Sequence, residues 1–527
     1  MTGDKKRSFI GGAGIIMIAT VAAKALGALY RIPLTNLVGA EGMGIYQTVY
    51  PVYALILSVS GGAIPMAISV LVASYTAGGD PAKGKRLTVG ALVVMLATGA
   101  AVSVALILLG GFVASLQGAP EASKGYYAIA PSVLFVSGIA VLKGYFQGRR
   151  NMFPTALSQV TEAFGKLVFG LLFAWILLPE GTEFAVAGAL IGVTVGEGAT
   201  FLILILRFVL KEKDSLSVPP VKEARELYKE ILRISVPIGA GGMIFPLTQF
   251  LDSFTVVNIL SQTMTAAEAT AAYGVFSAPV GTLINLPVSL AIGVGVAVAP
   301  HMAGSRMLRD IDGIRLKLST SLKTAFALGI PFAALFAAVP GEVLAAIYPA
   351  LSAAETALGS RLLRIGALNV LTLTITQISV SVLQGLGNTS SPVKNLALAG
   401  ALKVGLGIPL MFLIGIEGVM WANFAAYLTA AATNLVSVFN LTGKNVEVLK
   451  KSGVMLLAGA IILLPAALVA GAGLGKWAVL GISAAAGAVY IALILLLPVF
   501  TRREMLSLPM GGKILILNEK LGIKRSD

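Results

Sequence analysis

Apolar runs about 20 residues long or longer follow one another from end to end of the chain, separated by short polar breaks. Runs of that length match membrane-spanning helices. The alternating short segments of a β-barrel are absent. Marking runs and breaks predicts fourteen spans, at 9–37, 45–77, 86–114, 124–147, 153–178, 184–207, 233–260, 271–303, 317–347, 360–386, 392–415, 417–440, 452–471 and 475–499. The expected class is therefore an all-α polytopic membrane protein.

The longest polar stretch, "KEKDSLSVPPVKEARELYKEILR" (211–233), falls between spans six and seven. Pro219-Pro220 breaks any helix there, and a helical pattern resumes at Val221. This suggests a cytoplasmic linker at 211–232 whose helix lies along the membrane surface. A repeat supports a division at that point. "KGYFQGRRNMFPTALSQVTEAFGKLVFG" (143–170) resembles "SVLQGLGNTSSPVKNLALAGALKVGLG" (381–407). Gln147, Asn151 and Lys166 match Gln384, Asn388 and Lys403 at a constant offset of 237. Both copies run in the same direction, which predicts two six-helix lobes, 1–210 and 233–440, related by a pseudo-two-fold axis along the membrane normal. Spans thirteen and fourteen (441–500) and a cytoplasmic tail (501–527) lie outside the repeat.

Charge fixes the expected orientation. The net charge of +15 is carried on alternate loops, such as Lys5-Lys6-Arg7, Lys83 to Arg86, Arg149-Arg150, the linker, Arg306 to Lys317 and the tail. The opposite loops hold Glu41, Glu121, Glu180, Glu183, Glu268, Glu355 and Glu417. By the positive-inside rule both termini are cytoplasmic, and the basic charge is a membrane signature rather than a nucleic-acid one. Composition agrees, at 57% hydrophobic and 12% charged with mean hydropathy +0.90. The chain has no cysteine and one histidine, which excludes a disulfide framework and a thiolate metal site. The basic, apolar N-terminus looks like a signal peptide, but its run is too long, so it is read as a retained first span. No P-loop and no Gly-x-Ser-x-Gly elbow occurs, and "RDIDGIR" (309–315) reads as a solvated loop. A transporter, not an enzyme, is expected.

A short list of charged and polar residues remains inside the spans: Lys24, Arg31, Glu162, Lys166, Glu197, Asp252, His301, Lys323 and Lys403, with Asn285 and Asn395. Each charge at mid-span costs about 2.5–3.5 kcal/mol on insertion scales, so such groups face a bundle interior or a wet cavity. Glu162 and Lys166 are spaced to pair within one helix. Lys24 and Arg31 lie on one helix face with no carboxylate in their own span, which suits a phosphate or diphosphate. Asp252 is a candidate for a proton, a sodium ion or a cation of span one. His301 reads as a polar lining residue.

The segment "KALGALYRIPLTNLVGAEGMGIYQTVYPVYALILSVSGGAIPMAIS" (24–69) resembles the SpoVB-like and MurJ-like flippases. These belong to the multidrug/oligosaccharidyl-lipid/polysaccharide (MOP) exporter superfamily. The resemblance implies a V of two lobes with a cavity lined by spans 1, 2, 7 and 8. It also implies span-one cations on the diphosphate of lipid II, and a lipid-tail groove on spans 13 and 14. A monomer in the bacterial inner membrane follows, acting on lipid II or another undecaprenyl-linked saccharide. It would need no cofactor or metal, and its drive would be membrane potential, protons or sodium. Two positions depart from the pattern: Val70 stands where a lysine is expected, and Ala399 where a sodium site would need its second carboxylate. The second departure argues against sodium at Asp252 and Asn395.

Overall fold

The computed structural model describes residues 3–211, 220–443, 446–470, 475–507, 511–520 and 523. Among them every regular element is helical. The chain divides into two compact units, 1–278 and 279–527.

The first unit opens with α1 (Gly3–Ser58), which covers the first expected span and half of the second. The break expected at 38–44 is a bend instead. Only Gly39 leaves helical geometry (φ 69, ψ −174), a left-handed conformation that glycine adopts without a Cβ penalty. A π-helical turn, Val59–Ala63, leads into α2 (Ile64–Ala77). Next come α3 (Pro81–Leu116), α4 (Ser123–Gly148) and α5 (Phe153–Gly165). A second π-turn, Lys166–Gly170, joins α5 to α6 (Leu171–Leu177), and α7 (Thr182–Lys211) follows. The linker helix α8 (Val221–Gly242) is helical from Val221 as expected, and residues 212–219 lie outside the described residues. Its Leu227 and Ile231 are buried against Ile64, Ile68, Leu142 and Phe208. Helices α9 (Ile244–Leu260) and α10 (Ala266–Val275) complete the unit.

The second unit contains α11 (Gly281–Met307), α12 (Ile311–Ala338), α13 (Pro340–Ile347), α14 (Ala353–Gly385), α15 (Ser390–Ile414) and α16 (Glu417–Thr442). It closes with α17 (Val446–Ala470), α18 (Lys476–Leu496), α19 (Arg502–Leu506) and α20 (Gly511–Lys520). The division between units falls inside the π-turn Phe276–Val280, within the eighth expected span.

Among the described residues ten helices are long and apolar enough to cross a membrane. The other four expected spans fall on α1, on the shorter apolar helices α2 and α9, and on α17. Large apolar side chains face outward, with Leu108 75%, Trp175 65%, Leu413 77% and Ile461 71% exposed. In water that surface would drive aggregation; in lipid it is the solvated face. The chain is a polytopic helical membrane protein.

Capping explains several starts. Asp80 accepts from Lys83 N before Pro81, and Asp310 of the "RDIDGIR" loop accepts from Gly313 N. Two of the acidic loop residues, Glu268 and Glu355, close capping boxes with Thr265 and Ser352.

The repeat has a backbone counterpart. Asn151 N bonds Phe146 O and Arg150 N bonds Gln147 O, both at 2.8 Å, with Arg150 at φ 59. At the matching positions Asn388 N bonds Leu383 O at 2.8 Å and Gly387 N bonds Gln384 O at 2.9 Å, with Gly387 at φ 72. A further quasi-symmetric contact holds α1 against α10. A Cβ on Gly44 would overlap the Thr270 carbonyl, and one on Gly274 would overlap that of Ala40. Tyr273 and Gln47 bond across the same crossing, hydroxyl to carbonyl oxygen at 3.2 Å, and Gln47 Nε2 donates to Ser277 O at 3.2 Å.

Candidate functional site

A cavity of about 310 Å³ lies inside the first unit between the two arms of α1 and the α5 helix with its π-turn. The first arm supplies Lys24, Gly27 and Arg31, at three- and four-residue steps that keep one helix face. The second arm, turned back by Gly39, supplies Tyr46 and Tyr50. Gln159, Glu162, Ala163 and Lys166 come from α5 and the start of its π-turn, again on one face. Thr20 ties the two helices by donating to Gln159 Oε1 at 3.0 Å. Tyr46 and Tyr50 stack at 5.3 Å, and Tyr30 meets Tyr46 edge-on at 6.4 Å.

Four of the intramembrane charges singled out in the sequence therefore meet at one place. Their pairing differs from that expected. Glu162 does not take Lys166, its neighbour four residues on. It binds Lys143 of α4 at 2.7 Å, with side chains 12% and 19% exposed. Lys166 instead faces Glu197 of α7 at 3.7 Å. The tertiary partners win because α4 and α7 bring charges into a low-dielectric interior, where a cross-helix pair outweighs a weak pair along one helix.

Glu197 is 1% exposed. Its Oε1 accepts from the Tyr53 hydroxyl at 3.2 Å, and its buried Oε2 has no hydrogen-bond partner among the described residues. Lys24, exposed, and Arg31, half-buried, make no ion pair or side-chain hydrogen bond among the described residues. With Lys143–Glu162 and Lys166–Glu197 each neutral, two positive charges are left over at the cavity.

The remaining candidates lie elsewhere. Asp252 is half-buried on α9 and does not line this cavity. Beside it Ser253 belongs to a buried polar knot, in which Gln117 Nε2 donates to Ser253 Oγ at 2.9 Å and Tyr126 donates to Gln117 Oε1 at 2.6 Å. Asn285, His301, Asn395 and Lys403 belong to the second unit. The Asn285 amide donates to Gly281 O at 2.8 Å, and His301 is exposed. Asn395 Nδ2 donates to Asn434 Oδ1 at 2.9 Å and Ser437 Oγ at 3.2 Å, which commits its amide to α16. Lys403 is 6% exposed.

Lys323 is a structural cation. Its Nζ lies 2.8 and 3.0 Å from the two oxygens of Glu504 in the tail, and Ser319 also donates to Glu504. The tyrosines of the cavity wall were not singled out in the sequence. Their signal is the four- and three-residue spacing of Tyr46, Tyr50 and Tyr53, which on α1 stacks them along one side.

Residues 9–304 match the family described as polysaccharide biosynthesis protein. The chain belongs to that family. A solved inward-facing structure of a multidrug resistance MATE family transporter of the MOP superfamily superposes with a TM-score of 0.66, at 15% identity over 81% of this chain and 100% of that one. This chain is 27% identical to the membrane protein YabM of Bacillus subtilis (strain 168), over 97% of both chains. It is 23% identical to the lipid II flippase MurJ of the same organism, over 85% of both chains. A solved structure of lipid II flippase MurJ in an inward closed conformation superposes with a TM-score of 0.71, at 16% identity over 91% of this chain and 98% of that one. At that identity the superposition establishes the fold.

Proposed function

We propose that this member of the polysaccharide biosynthesis protein family is a flippase for an undecaprenyl-diphosphate-linked saccharide, with lipid II as its first candidate substrate. The observation that carries the reading is the pair of uncompensated cations, Lys24 and Arg31, at the cavity of the first unit. A lipid diphosphate diester carries two negative charges, matching the two positive charges left over there. Arginine grips phosphate oxygens with a planar fork, and lysine adds a point charge. In a membrane interior such cations are costly unless a partner or water meets them.

Size limits what the cavity holds. About 310 Å³ is at the small end of ligand pockets, enough for the diphosphate and its first sugar but not a whole precursor head group. The Tyr46–Tyr50 stack offers ring faces for that sugar. No bond is made or broken in this reading. The head group crosses a hydrated path while the polyprenyl tail stays in lipid, as in transport by alternating access. The loop charges support an orientation with both termini on the cytoplasmic side.

The family description favours a second reading, export of another undecaprenyl-linked polysaccharide precursor. Drug or cation antiport is disfavoured, because two uncompensated cations repel cationic substrates. The test is reconstitution in vesicles with fluorescent lipid II and other undecaprenyl-diphosphate saccharides, scoring leaflet exchange. Protein-dependent exchange of lipid II is expected. Exchange of only other saccharides would select the second reading. Exchange of none of these lipids would overturn both.

A further inference from the structure

The cavity reading leaves one group unexplained. Glu197 is buried in α7, does not itself line the cavity, and pairs with Lys166, which does. As an ionised group it is poorly held. One oxygen has the Tyr53 hydroxyl at 3.2 Å and Lys166 at 3.7 Å, too long for a hydrogen bond; the other has no hydrogen-bond partner among the described residues. A buried carboxylate kept for structure alone has both oxygens satisfied, since each orphaned buried acceptor costs about 1–3 kcal/mol. Lys166 opens the π-turn Lys166–Gly170, a local widening of the helix that recurs at functional sites. Its side chain is 19% exposed at the cavity.

We propose that Glu197 is a proton-binding site that decides whether Lys166 belongs to the protein or to the anionic substrate. With Glu197 ionised, Lys166 is held toward α7 and the cavity presents Lys24 and Arg31. With Glu197 protonated, the ion pair ends, and Lys166 joins Lys24 and Arg31 on the diphosphate. The proton is taken up from the buffered solvent and sits on the carboxylate; no other group of the protein changes charge. Diphosphate binding and proton binding then favour each other, as linkage requires of two ligands that share one switch. Anion affinity therefore rises as pH falls.

The surroundings confine the effect to this group. The charged and titratable side chains facing Glu197 are Tyr53 of α1, Lys143 of α4, and Glu162 and Lys166 of α5 and its π-turn. Glu162 is the other acid, and it is held by Lys143 at 2.7 Å. That pair stays closed in both states.

This inference rests on the diphosphate reading above, and the experiment separates the two. The purified protein is titrated with undecaprenyl-diphospho-N-acetylglucosamine in detergent from about pH 9 to about pH 5, where buried carboxylates titrate. Both phosphates of this probe are esterified, so its charge stays constant across that range. Wild type should gain roughly tenfold to a hundredfold in affinity toward low pH, the worth of one charge-assisted hydrogen bond, and should take up protons on binding. Glu197→Gln should bind at every pH as wild type binds at low pH, with no proton uptake. Lys166→Gln, which covers the case in which the Glu197→Gln variant fails to fold, should bind at every pH as wild type binds at high pH. Binding with an unchanged pH profile in either variant would overturn the switch and leave the diphosphate reading standing. No binding by any form at any pH would overturn the diphosphate reading, and the switch with it.

Discussion

Among the described residues two lysine–glutamate pairs have a fully buried carboxylate, Lys166–Glu197 in the first unit and Lys323–Glu504 in the second, and they differ in how they are held. In Lys323–Glu504 the side chains are 1% and 3% exposed, and both glutamate oxygens lie within 3.0 Å of the lysine. Ser319 donates to the same carboxylate, and Thr501 N bonds its Oε2 at 2.8 Å, closing a capping box. In Lys166–Glu197 the separation is 3.7 Å and one carboxylate oxygen is orphaned. The first pair docks the tail onto α12, where Phe500, Met505 and Leu515 complete an apolar cluster with Ile330, Met455 and Tyr490. The second sits beside a cavity. A buried pair with every lone pair engaged is a fixed joint, whereas one with a long separation and an orphaned oxygen is held less firmly.

The repeat sharpens the contrast. The turn after α4 recurs after α14, yet the chemistry does not recur with it. At the offset of 237 Lys143 becomes Val380 and Glu162 becomes Ala399. Pro33-Leu34-Thr35 recurs as Pro246-Leu247-Thr248, and on that register Arg31 becomes Ile244. The turn is used twice, and of the residues in Lys143–Glu162 and Lys166–Glu197 only Lys166 keeps a charged counterpart at the offset of 237, Lys403.

The largest effect should come from breaking the fixed joint. Glu504→Ala strands Lys323 in an apolar interior and should cost about 3–5 kcal/mol, read as a large drop in melting temperature and as protease sensitivity of the tail. Lys323→Met with Glu504→Met should recover most of it, because no charge is then stranded. Breaking the loose pair should cost less, about 1–2 kcal/mol for Glu197→Gln, since Lys166 can turn to the cavity. Equal losses at the two sites in thermal melts would erase the distinction. A smaller effect is expected from Lys143→Met. It frees Glu162 to compete for the cavity cations, so diphosphate binding should weaken by roughly threefold to tenfold, the worth of one partly screened charge. Lys143 does not line the cavity, so unchanged binding would remove the Lys143–Glu162 pair from the account.

Much of the molecule is legible in the sequence, and the rest escapes it for identifiable reasons. Span positions follow from runs of apolar residues, a local property, and among the described residues each of the fourteen falls mainly on helix. The stretch 38–44 reads as a break because glycine-rich segments look like loops, while one left-handed Gly39 is enough to turn a helix. The docking of the tail is hidden because its anchor, Lys323, is 181 residues away from Glu504. The same holds at the site. Lys24 and Arg31 stand out because nothing in their own span answers them. The partners of Glu162 and Lys166 lie on α4 and α7, so helical spacing points to the wrong pair.

In the proposed function Lys24 and Arg31 hold a diphosphate by charge. This is tested most directly by equilibrium binding of lipid II to the purified wild type, Lys24→Arg, Lys24→Gln and Arg31→Gln, with melting temperatures measured alongside. The account predicts near-wild-type affinity for Lys24→Arg and a loss of roughly tenfold to a hundredfold for each glutamine variant, at unchanged melting temperature. Equal affinity in all four proteins would contradict it.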